Sequence, residues 1–262
     1  PIVISKFIQD AMEVELDAVS DGEDILIGST MEHIEKAGIH SGDAIMVAPP
    51  KGVNQDIQNT LNEYASKIAL ALQVKGPFNM QFIVKDNTVY VIECNLRASR
   101  SMPFISKLMG INLMDAASLS VLGYSLKPLL KTMRRKNIVG VKVPQFSFTQ
   151  LEGADLILGV EMQSTGEVAC FGKNFFDALS KAMISAGYKI PRQGGNILIT
   201  VGGQNMKRSI LPLVHMLREL GYSILSTEHT SEFLIENGVS NVTTVFKIAE
   251  PERKPNIADH LL

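Results

Sequence analysis

The chain has 262 residues, of which 45% are hydrophobic and 20% charged, values that are ordinary for a globular protein with a buried core. Its net charge of −2 gives no indication of a nucleic-acid or acidic-membrane partner through bulk electrostatics, so any bound anion must be held by local donors. No apolar run reaches the roughly 20 residues that a membrane-spanning helix needs. The length favours two domains, and the spacing of Cys94 and Cys170 indicates separate thiols in a reducing compartment.

Both ends of the sequence predict a piece of a larger protein. The chain begins in a β-prone run at Pro1, without an initiator methionine or a signal peptide. Residues 257–262 have the pattern of a helix that is just beginning, with no stop signal. We therefore expect an incomplete chain from a cytoplasmic protein.

Strand-like runs open the chain at residues 2–8, 12–19 and 24–28, and turn-forming residues separate the last two. In the second run Glu13, Glu15 and Asp17 alternate with apolar residues, so the three carboxylates share one face of the strand. Taken alone, this pattern is typical of a solvated strand at the edge of a sheet.

Helices and a hairpin are predicted for the middle of the chain. In order, the pattern gives a polar loop at 38–43, a helix at 53–72, hairpin strands at 78–84 and 88–95, a loop leading into a helix at 98–110, a helix at 112–122, a basic connector at 124–136, a strand at 138–143, a loop-rich stretch that includes 159–167, and a helix at 175–186.

Beyond a linker at 191–195 the pattern alternates between strand and helix. Strands are predicted at 196–201, 222–227 and 241–248, with helices at 206–220 and 231–237 between them. This alternation favours an open, parallel, Rossmann-like sheet. The predicted class is α/β, with one domain over 1–190 and a second over 191–262.

Three oxygen donors are predicted to converge on the hairpin. Glu93 and Asn95 lie two residues apart on one strand, so their side chains point to the same face. Gln81 joins them if it pairs with Glu93, which requires a connection of odd length such as 86–88 rather than a two-residue turn. Mg²⁺ needs few protein oxygens when phosphates and water complete its octahedron, so three donors would suffice. Spacing alone, however, more often reflects a solvated strand face.

Arg97 and Arg100 follow these donors directly. Arginine is suited to bidentate contact with phosphate or carboxylate oxygens, so the pair could neutralise charge on a transferred phosphoryl group. The alternative is a pair of surface arginines at the start of the next helix.

Several long motifs in register resemble the large subunit of carbamoyl-phosphate synthetase, or its equivalent domain. They are VIECNLRASRSMPFISK (91–107), MEHIE (31–35) with GIHSGD (38–43), GPFNMQ (76–81), and KVPQFSF (142–148) with EMQSTGEV (161–168). The form of the first motif is more like the C-terminal synthetase half of that family. That half phosphorylates carbamate with a second ATP, which implies an ATP-grasp fold for the first domain.

The resemblance implies that Gln81, Glu93 and Asn95 bind Mg²⁺ or Mn²⁺, and that Glu13 holds the ribose of ATP. Lys6 and Ile8 would flank the adenine through backbone groups. The nucleotide and substrate end would be lined by Gly38, Ile39, His40 and Ser41. His40 would orient an oxyanion, although a lone loop histidine is more often structural. Arg97 and Arg100 would contact the transferred phosphate or the carbamate.

The second domain resembles the methylglyoxal-synthase-like allosteric domain of the same family. The resemblance implies that Thr227 and Thr230 hold the phosphate of an effector, since a helix N-terminus suits an anion. The alternative is that Thr230 is only the N-cap of its helix.

The motifs have the style of eukaryotic family members that join a glutamine-dependent synthetase, aspartate transcarbamylase and dihydroorotase in one chain and begin pyrimidine synthesis. This implies a glutaminase partner and an oligomeric full-length protein. The first part of the ATP-grasp unit, with its lid, is absent from this sequence, so the isolated chain is predicted to be inactive. An ammonia-dependent urea-cycle synthetase, a biotin-dependent carboxylase and a non-catalytic ligand-sensing module are the rival hypotheses.

Overall fold

The computed structural model of the protein describes residues 2, 6–132, 137–147 and 157–261. The chain forms two compact units, residues 1–188 and residues 189–262. Among the residues described, no helix has both the length and the apolar character needed to cross a bilayer.

The first unit is built on a seven-stranded antiparallel sheet in the order β5-β4-β1-β2-β3-β6-β7. Its strands are β1 (Met12–Asp21), β2 (Ile25–Lys36), β3 (Met46–Ala48), β4 (Lys75–Lys85), β5 (Thr88–Asn95), β6 (Val139–Gln145) and β7 (Gly166–Gly172). Its described helices are α1 (Gln55–Ala71), α2 (Met102–Met109), α3 (Leu113–Val121), α4 (Lys127–Thr132) and α5 (Phe175–Ser185).

β1 lies inside this sheet, because it pairs with β2 on one side and with β4 on the other. Its side chains at positions 14, 16 and 18 are buried in one hydrophobic core, together with Ile57 and Leu61 of α1. Val19, which points to the other face, belongs to a second core that includes Ile105 and Leu108 of α2. Helices therefore cover both faces of β1, and its polar odd-numbered residues lie on the face where α2 begins.

Several elements differ from the sequence prediction. The predicted strand at 2–8 is wrong for residues 2 and 6–8, which have no regular structure, and residues 3–5 lie outside the described range. β2 continues well past residue 28, and β7 begins inside the stretch predicted to be loop-rich. The sequence pattern does not predict β3, which is only three residues long and is held by β2 and β6. The connector contains α4, and its residues 133–136 lie outside the description.

The second unit has a three-stranded parallel sheet in the order β10-β9-β8. Its elements are β8 (Asn196–Ile199), α6 (Gln204–Glu219), β9 (Ser223–Thr227), α7 (Glu228–Glu236), β10 (Val242–Val245) and α8 (Ala258–Leu261). The parallel pairing confirms the predicted α/β pattern of this part. α7 begins at Glu228, three residues earlier than predicted, directly at the end of β9.

Candidate active site and effector pocket

The three alternating carboxylates of β1 lie on a buried face of the sheet. Glu13 is 6% exposed, Glu15 is 3% exposed and Asp17 is fully buried. The solvated-edge interpretation is therefore wrong, because β1 has a partner strand on each side. Alternation of polar and apolar residues with a period of two does not by itself distinguish a solvated strand face from a buried polar face.

Burial raises the pKa of all three carboxyl groups, since desolvation disfavours their charged forms. Desolvation raises the pKa of Glu13 to about 7. For Glu15 desolvation comes first and the negative charge of Asp17 second, and together they raise the pKa to about 8 against the opposing charge of Lys142. Desolvation also raises the pKa of Asp17, although three side-chain hydrogen bonds oppose the shift. The face can therefore hold protons at neutral pH.

Asp17 is the centre of a hydrogen-bond cluster on this face. Its Oδ1 accepts from Ser99 Oγ at 2.5 Å and from Asn79 Nδ2 at 3.0 Å, and its Oδ2 accepts from Ser101 Oγ at 2.8 Å. Ser101 Oγ also lies 3.1 Å from Glu15 Oε1. A hydroxyl has one hydrogen, so Ser101 can bridge the two carboxyl groups only if one of them is protonated.

Gln81 is paired with Glu93, as the predicted site requires, but the predicted cause of that pairing is wrong. Asp86 and Asn87 form a two-residue turn, with φ values of +48° and +59°. A β-bulge then leaves Ile92 as an extra residue between the pairs 82–91 and 81–93. The bulge supplies the one-residue shift that the sequence analysis assigned to a longer turn.

The hairpin presents oxygen atoms that suit a divalent cation. Asn95 Nδ2 donates to Glu93 Oε1 at 2.7 Å, and Gln81 Nε2 donates to Ser41 Oγ at 3.2 Å. Because the amide nitrogens are engaged, the carbonyl oxygens are the atoms that can face a cation. One carboxylate and two amide oxygens fit Mg²⁺ when phosphate and water provide the other ligands. In the described part of the chain, no three His, Cys, Asp or Glu side chains converge as a metal site on their own.

A cavity of about 330 Å³ opens beside the hairpin. Five of the predicted site residues line it, namely His40, Ser41, Gln81, Arg97 and Arg100. Eight further residues that the sequence analysis did not assign also line it, namely Glu15, Gly42, Met46, Asn79, Ser99, Ser101, Lys142 and Met162. The fold thus brings residues that are more than one hundred positions apart around one space.

Lys142 is the main functional candidate that sequence reasoning missed. It is 2% exposed on β6, and its Nζ donates to the carbonyl oxygen of Ser41 at 3.2 Å. The same Nζ lies 3.4 Å from Glu167 Oε2, and Arg100 Nη2 lies 3.8 Å from that oxygen. The available signal was a single lysine inside an otherwise apolar strand, since a buried cation needs partners.

The loop at 38–43 is held by one hydrogen bond within the loop and by others to residues 159–164. His40 Nδ1 accepts from the Gly42 amide at 3.0 Å, and the His40 amide donates to the carbonyl oxygen of Gly159 at 2.8 Å. Asp43 accepts from the amides of Gln163 and Ser164 at 2.9 and 2.8 Å. The first of these contacts uses one ring nitrogen of His40 and leaves Nε2 as the atom that can meet a ligand.

Glu13 lies outside the lining of the cavity, next to a buried histidine. His33 is 4% exposed, and its Nδ1 lies 3.9 Å from Glu13 Oε1. Desolvation lowers the pKa of His33 to about 3, and the charges of Lys142 and His40 act in the same direction. His33 is therefore neutral at neutral pH and does not compensate the charge of Glu13.

The remaining predicted residues are not brought into the cavity. Lys6 is exposed and Ile8 is half-buried in the segment before β1, and neither Gly38 nor Ile39 lines the space. The backbone of Gly38 does lower the pKa of Glu13 by hydrogen bonding, so it lies next to the predicted ribose contact. Glu93 and Asn95 adjoin the cavity through the strand pairing with β4.

In the second unit a separate pocket of about 350 Å³ lies where β8 and β9 end. Thr227 Oγ1 lies 2.9 Å from Thr200 Oγ1. Thr230 Oγ1 donates to the carbonyl oxygen of Val201 at 3.1 Å, and accepts from the Val201 amide at 3.3 Å. The N-cap alternative for Thr230 is wrong, because Thr227 occupies the N-cap position of α7 and Thr230 lies inside the helix.

Lys207 is the pocket residue that the sequence analysis did not assign. It is 7% exposed on the first turn of α6, and its Nζ donates to the carbonyl oxygen of His229. Gly203, the N-cap residue of α6, has a φ of +75°, which glycine adopts without strain. The pocket therefore combines hydroxyls, a buried cation and a helix N-terminus, which together suit an anion.

Comparison with known proteins defines the first unit as an ATP-binding domain of the ATP-grasp ligase type and the second as a smaller α/β domain. Residues 1–129 match the family described as the ATP-binding domain of the carbamoyl-phosphate synthase L chain, and residues 209–261 match the MGS-like domain. The chain belongs to the carbamoyl-phosphate synthase large-chain family.

Relatives with curated descriptions are similar over nearly the whole chain. The multifunctional protein ura1 of Schizosaccharomyces pombe is 48% identical over 91% of this chain, and the multifunctional protein CAD of Squalus acanthias is 44% identical over 100% of it. The chain spans 11% and 12% of the length of these two relatives.

A solved complex of biotin carboxylase with beta-gamma-ATP from Campylobacter jejuni has the same fold, with a TM-score of 0.54. The aligned region covers 67% of this chain and 45% of the solved chain at 17% identity, so the likeness supports the fold alone. The far higher identity to the multifunctional proteins argues against the biotin-dependent carboxylase hypothesis.

Proposed function

We propose that the full-length protein phosphorylates carbamate with ATP to give carbamoyl phosphate and ADP, and that the first unit carries this site. The observation that carries the proposal is the cavity itself. Its lining includes Arg97, Arg100 and His40, together with Gln81 of the hairpin. This is an arrangement of cations and amide groups around a space where anions can meet.

The reaction needs positioning and charge stabilisation, with no covalent enzyme intermediate. A carbamate oxygen bonds to the γ-phosphorus while the bond from that phosphorus to the bridging oxygen of ADP breaks. Arg97 and Arg100 stabilise the charge on the transferred group, and His40 orients the carbamate. Lys142 neutralises Glu167 and holds the loop at Ser41 through its carbonyl oxygen.

Nucleotide binding is assigned to Ser41 in the lining of this cavity and to predicted residues that lie outside that lining. Glu13 holds the ribose, and Lys6 and Ile8 flank the adenine through backbone groups. The nucleotide end is completed by Gly38, Ile39 and Ser41. Gln81, Glu93 and Asn95 would hold Mg²⁺ or Mn²⁺, which when bound would neutralise charge on the phosphates.

The proposed context is the first step of pyrimidine biosynthesis in the cytoplasm. This rests on the identity to multifunctional proteins of two eukaryotes. Glutamine would supply the nitrogen through a glutaminase region elsewhere in the full-length protein, which would be an oligomer. The second unit would regulate the synthetase by binding a phosphorylated effector.

The effector site is assigned to the pocket of the second unit. Thr227 contributes its hydroxyl, Lys207 contributes the cation, and the N-terminus of α6 contributes backbone amides. The Thr230 hydroxyl would exchange its hydrogen bond to the Val201 carbonyl oxygen for one to the phosphate. These are the groups that bind a phosphate in proteins. Lys247 also lines the pocket and adds a second cation.

The test uses the full-length protein and the reverse reaction, in which ADP and carbamoyl phosphate form ATP and carbamate. Glu93→Gln removes the only carboxylate of the three hairpin donors, so ATP formation is expected to fall by about 100-fold or more and to need higher Mg²⁺. Glu63→Gln, on the exposed side of α1, is the matched control and is expected to keep wild-type activity. Unchanged ATP formation in Glu93→Gln would exclude the metal role.

A further inference from the structure

The segment 97–101 lies between β5 and α2, and its arginines and serines have different partners. Arg97 and Arg100 line the cavity. Ser99 and Ser101 also line it, and they donate their hydroxyl hydrogens to Asp17, at 2.5 and 2.8 Å. One short segment thus faces the proposed substrates with its arginines and is held to β1 by its serines.

The two serines connect Asp17 to the first turn of α2. Ser101 is the N-cap residue of that helix, yet its side chain makes no capping hydrogen bond. Ser99 Oγ caps the helix in its place, because it accepts a hydrogen bond from the Met102 amide at 3.1 Å. N-cap serines normally satisfy their own helix. The hydroxyl of Ser101 is therefore committed to the carboxylate cluster.

Asp17 is strongly constrained as an anchor. It is fully buried, and Asn79 on β4 supplies its third hydrogen bond at 3.0 Å. A buried carboxyl group that loses its partners is costly, so the three donors and the carboxyl group hold each other in one arrangement. Because β1 is paired on both sides, the anchor itself cannot shift easily.

We propose that Asp17 is a positioning residue for the phosphorylation of carbamate, which fixes segment 97–101 and so places Arg97 and Arg100 against the transferred phosphoryl group. This inference rests on the proposed function of the cavity. Asp17 acts through Ser99 and Ser101 and does not itself contact the reacting atoms. A displacement of the arginines by about 1 Å is enough to slow catalysis by about 100-fold.

The first test is Asp17→Asn in the full-length protein, assayed by ATP formation from ADP and carbamoyl phosphate. The expected result is a kcat lowered by about 10- to 100-fold, with KM for ADP changed by less than about threefold. The matched control is Asp21→Asn on the same strand. Asp21 also holds a loop, by accepting from the Leu126 and Asp24 amides at 2.7 Å each, but it lies away from the cavity. This control is expected to keep its kcat.

A second readout is independent of activity. Hydrogen–deuterium exchange of residues 97–102 is expected to speed up by about tenfold or more in Asp17→Asn and in Ser99→Ala, and to stay unchanged in Asp21→Asn. Ser99→Ala keeps the test decisive if Asp17→Asn does not fold, through its own kcat and exchange. Wild-type kcat or wild-type exchange in the folded variants overturns the anchor. Absence of ATP formation in the wild-type protein would instead overturn the proposed function, and the exchange data would still decide on the anchor.

Discussion

Gln81 on β4 and Glu93 on β5 are direct cross-strand partners, and the extra residue at Ile92 makes them so. The turn at Asp86 and Asn87 alone would place Gln81 opposite residue 92. A one-residue slip sends every following side chain to the other face of a strand. The convergence of Glu93 with Gln81 therefore depends on the turn and the bulge together.

The turn itself can be tested at Asn87, whose φ of +59° lies in the left-handed region. A β-branched residue is strained there, so Asn87→Ile is expected to lower the free energy of unfolding by about 1–2 kcal/mol. Asn87→Gly is the control and is expected to be at least as stable as the wild type, because glycine adopts this conformation freely. Urea denaturation measures both, and equal stability of the isoleucine variant would contradict the strain.

The buried carboxyl group of Glu13 predicts a stability that falls as the pH rises. Its pKa is about 7 in the folded chain against 4.5 for the free group, so between these values the folded state keeps a proton that the unfolded state has lost. Glu13→Gln is therefore expected to be about as stable as the wild type near pH 4.5, and more stable by up to about 3 kcal/mol at pH 8. Urea denaturation at the two pH values checks this, with Glu63→Gln as an exposed control. A constant difference between Glu13→Gln and the wild type would show that desolvation of the carboxylate is not the cause.

His33 predicts the opposite dependence on pH. Its pKa is about 3 in the folded chain against 6.5 for the free group, so the unfolded state takes up a proton first as the pH falls. The stability supplied by the neutral ring is lost from pH 6.5 downwards, at up to about 1.4 kcal/mol per pH unit. His33→Gln is expected to lack this component. The measurement is the difference between the unfolding free energies of the two proteins at pH 7.5, 6.5 and 5.5. A difference that stays flat across this range would rule out a buried neutral histidine.

The hydroxyl of Thr230 predicts a coupling between the stability of the second unit and its pocket. It bonds both the amide and the carbonyl oxygen of Val201, so Thr230→Val keeps the shape and leaves two backbone groups without these bonds. The expected loss in the free energy of unfolding is about 1–3 kcal/mol. Inorganic phosphate should also protect the variant less than the wild type in thermal denaturation. Thr243→Val, at an exposed position on β10, is the control and should differ little from the wild type.

Local patterns predicted the elements whose stability is local. The period of apolar residues in 53–72 identified α1, and the alternation of strand and helix after residue 195 identified the parallel sheet. β3 and β7 were not predicted because both strands form by pairing with β6. That strand is distant in sequence from β3 and is separated from β7 by the stretch predicted to be loop-rich. Such pairing is a property of the whole sheet. Strands of three to seven residues need not show a hydrophobic period in their own sequence.

The cavity shows the same division between local and long-range information. Glu93, Asn95, Arg97 and Arg100 lie within eight residues, and the sequence singled them out. The position of Lys142 in an apolar strand was visible, but its contact with Ser41 was not, since it reaches that residue from a strand about one hundred residues away. The carboxylates of β1 were visible as a pattern, but only the packing of α2 and the segment before it against that face decides whether it is solvated or buried.

The anchoring of Ser99 and Ser101 by Asp17 also limits how the chain length can vary. Glu93 is held to β4 by the strand ladder, and Ser101 is held to β1, so the residues between them span two fixed points. An inserted residue at Leu96 would have to bulge outwards and would rotate Arg97 away from the cavity. An insertion at the exposed turn between Asp86 and Asn87 can be taken up by a longer loop while the strand pairs beyond it keep their register. Among natural relatives, length differences should therefore accumulate at the tip of the hairpin, while the stretch from Glu93 to Ser101 keeps a constant count of residues.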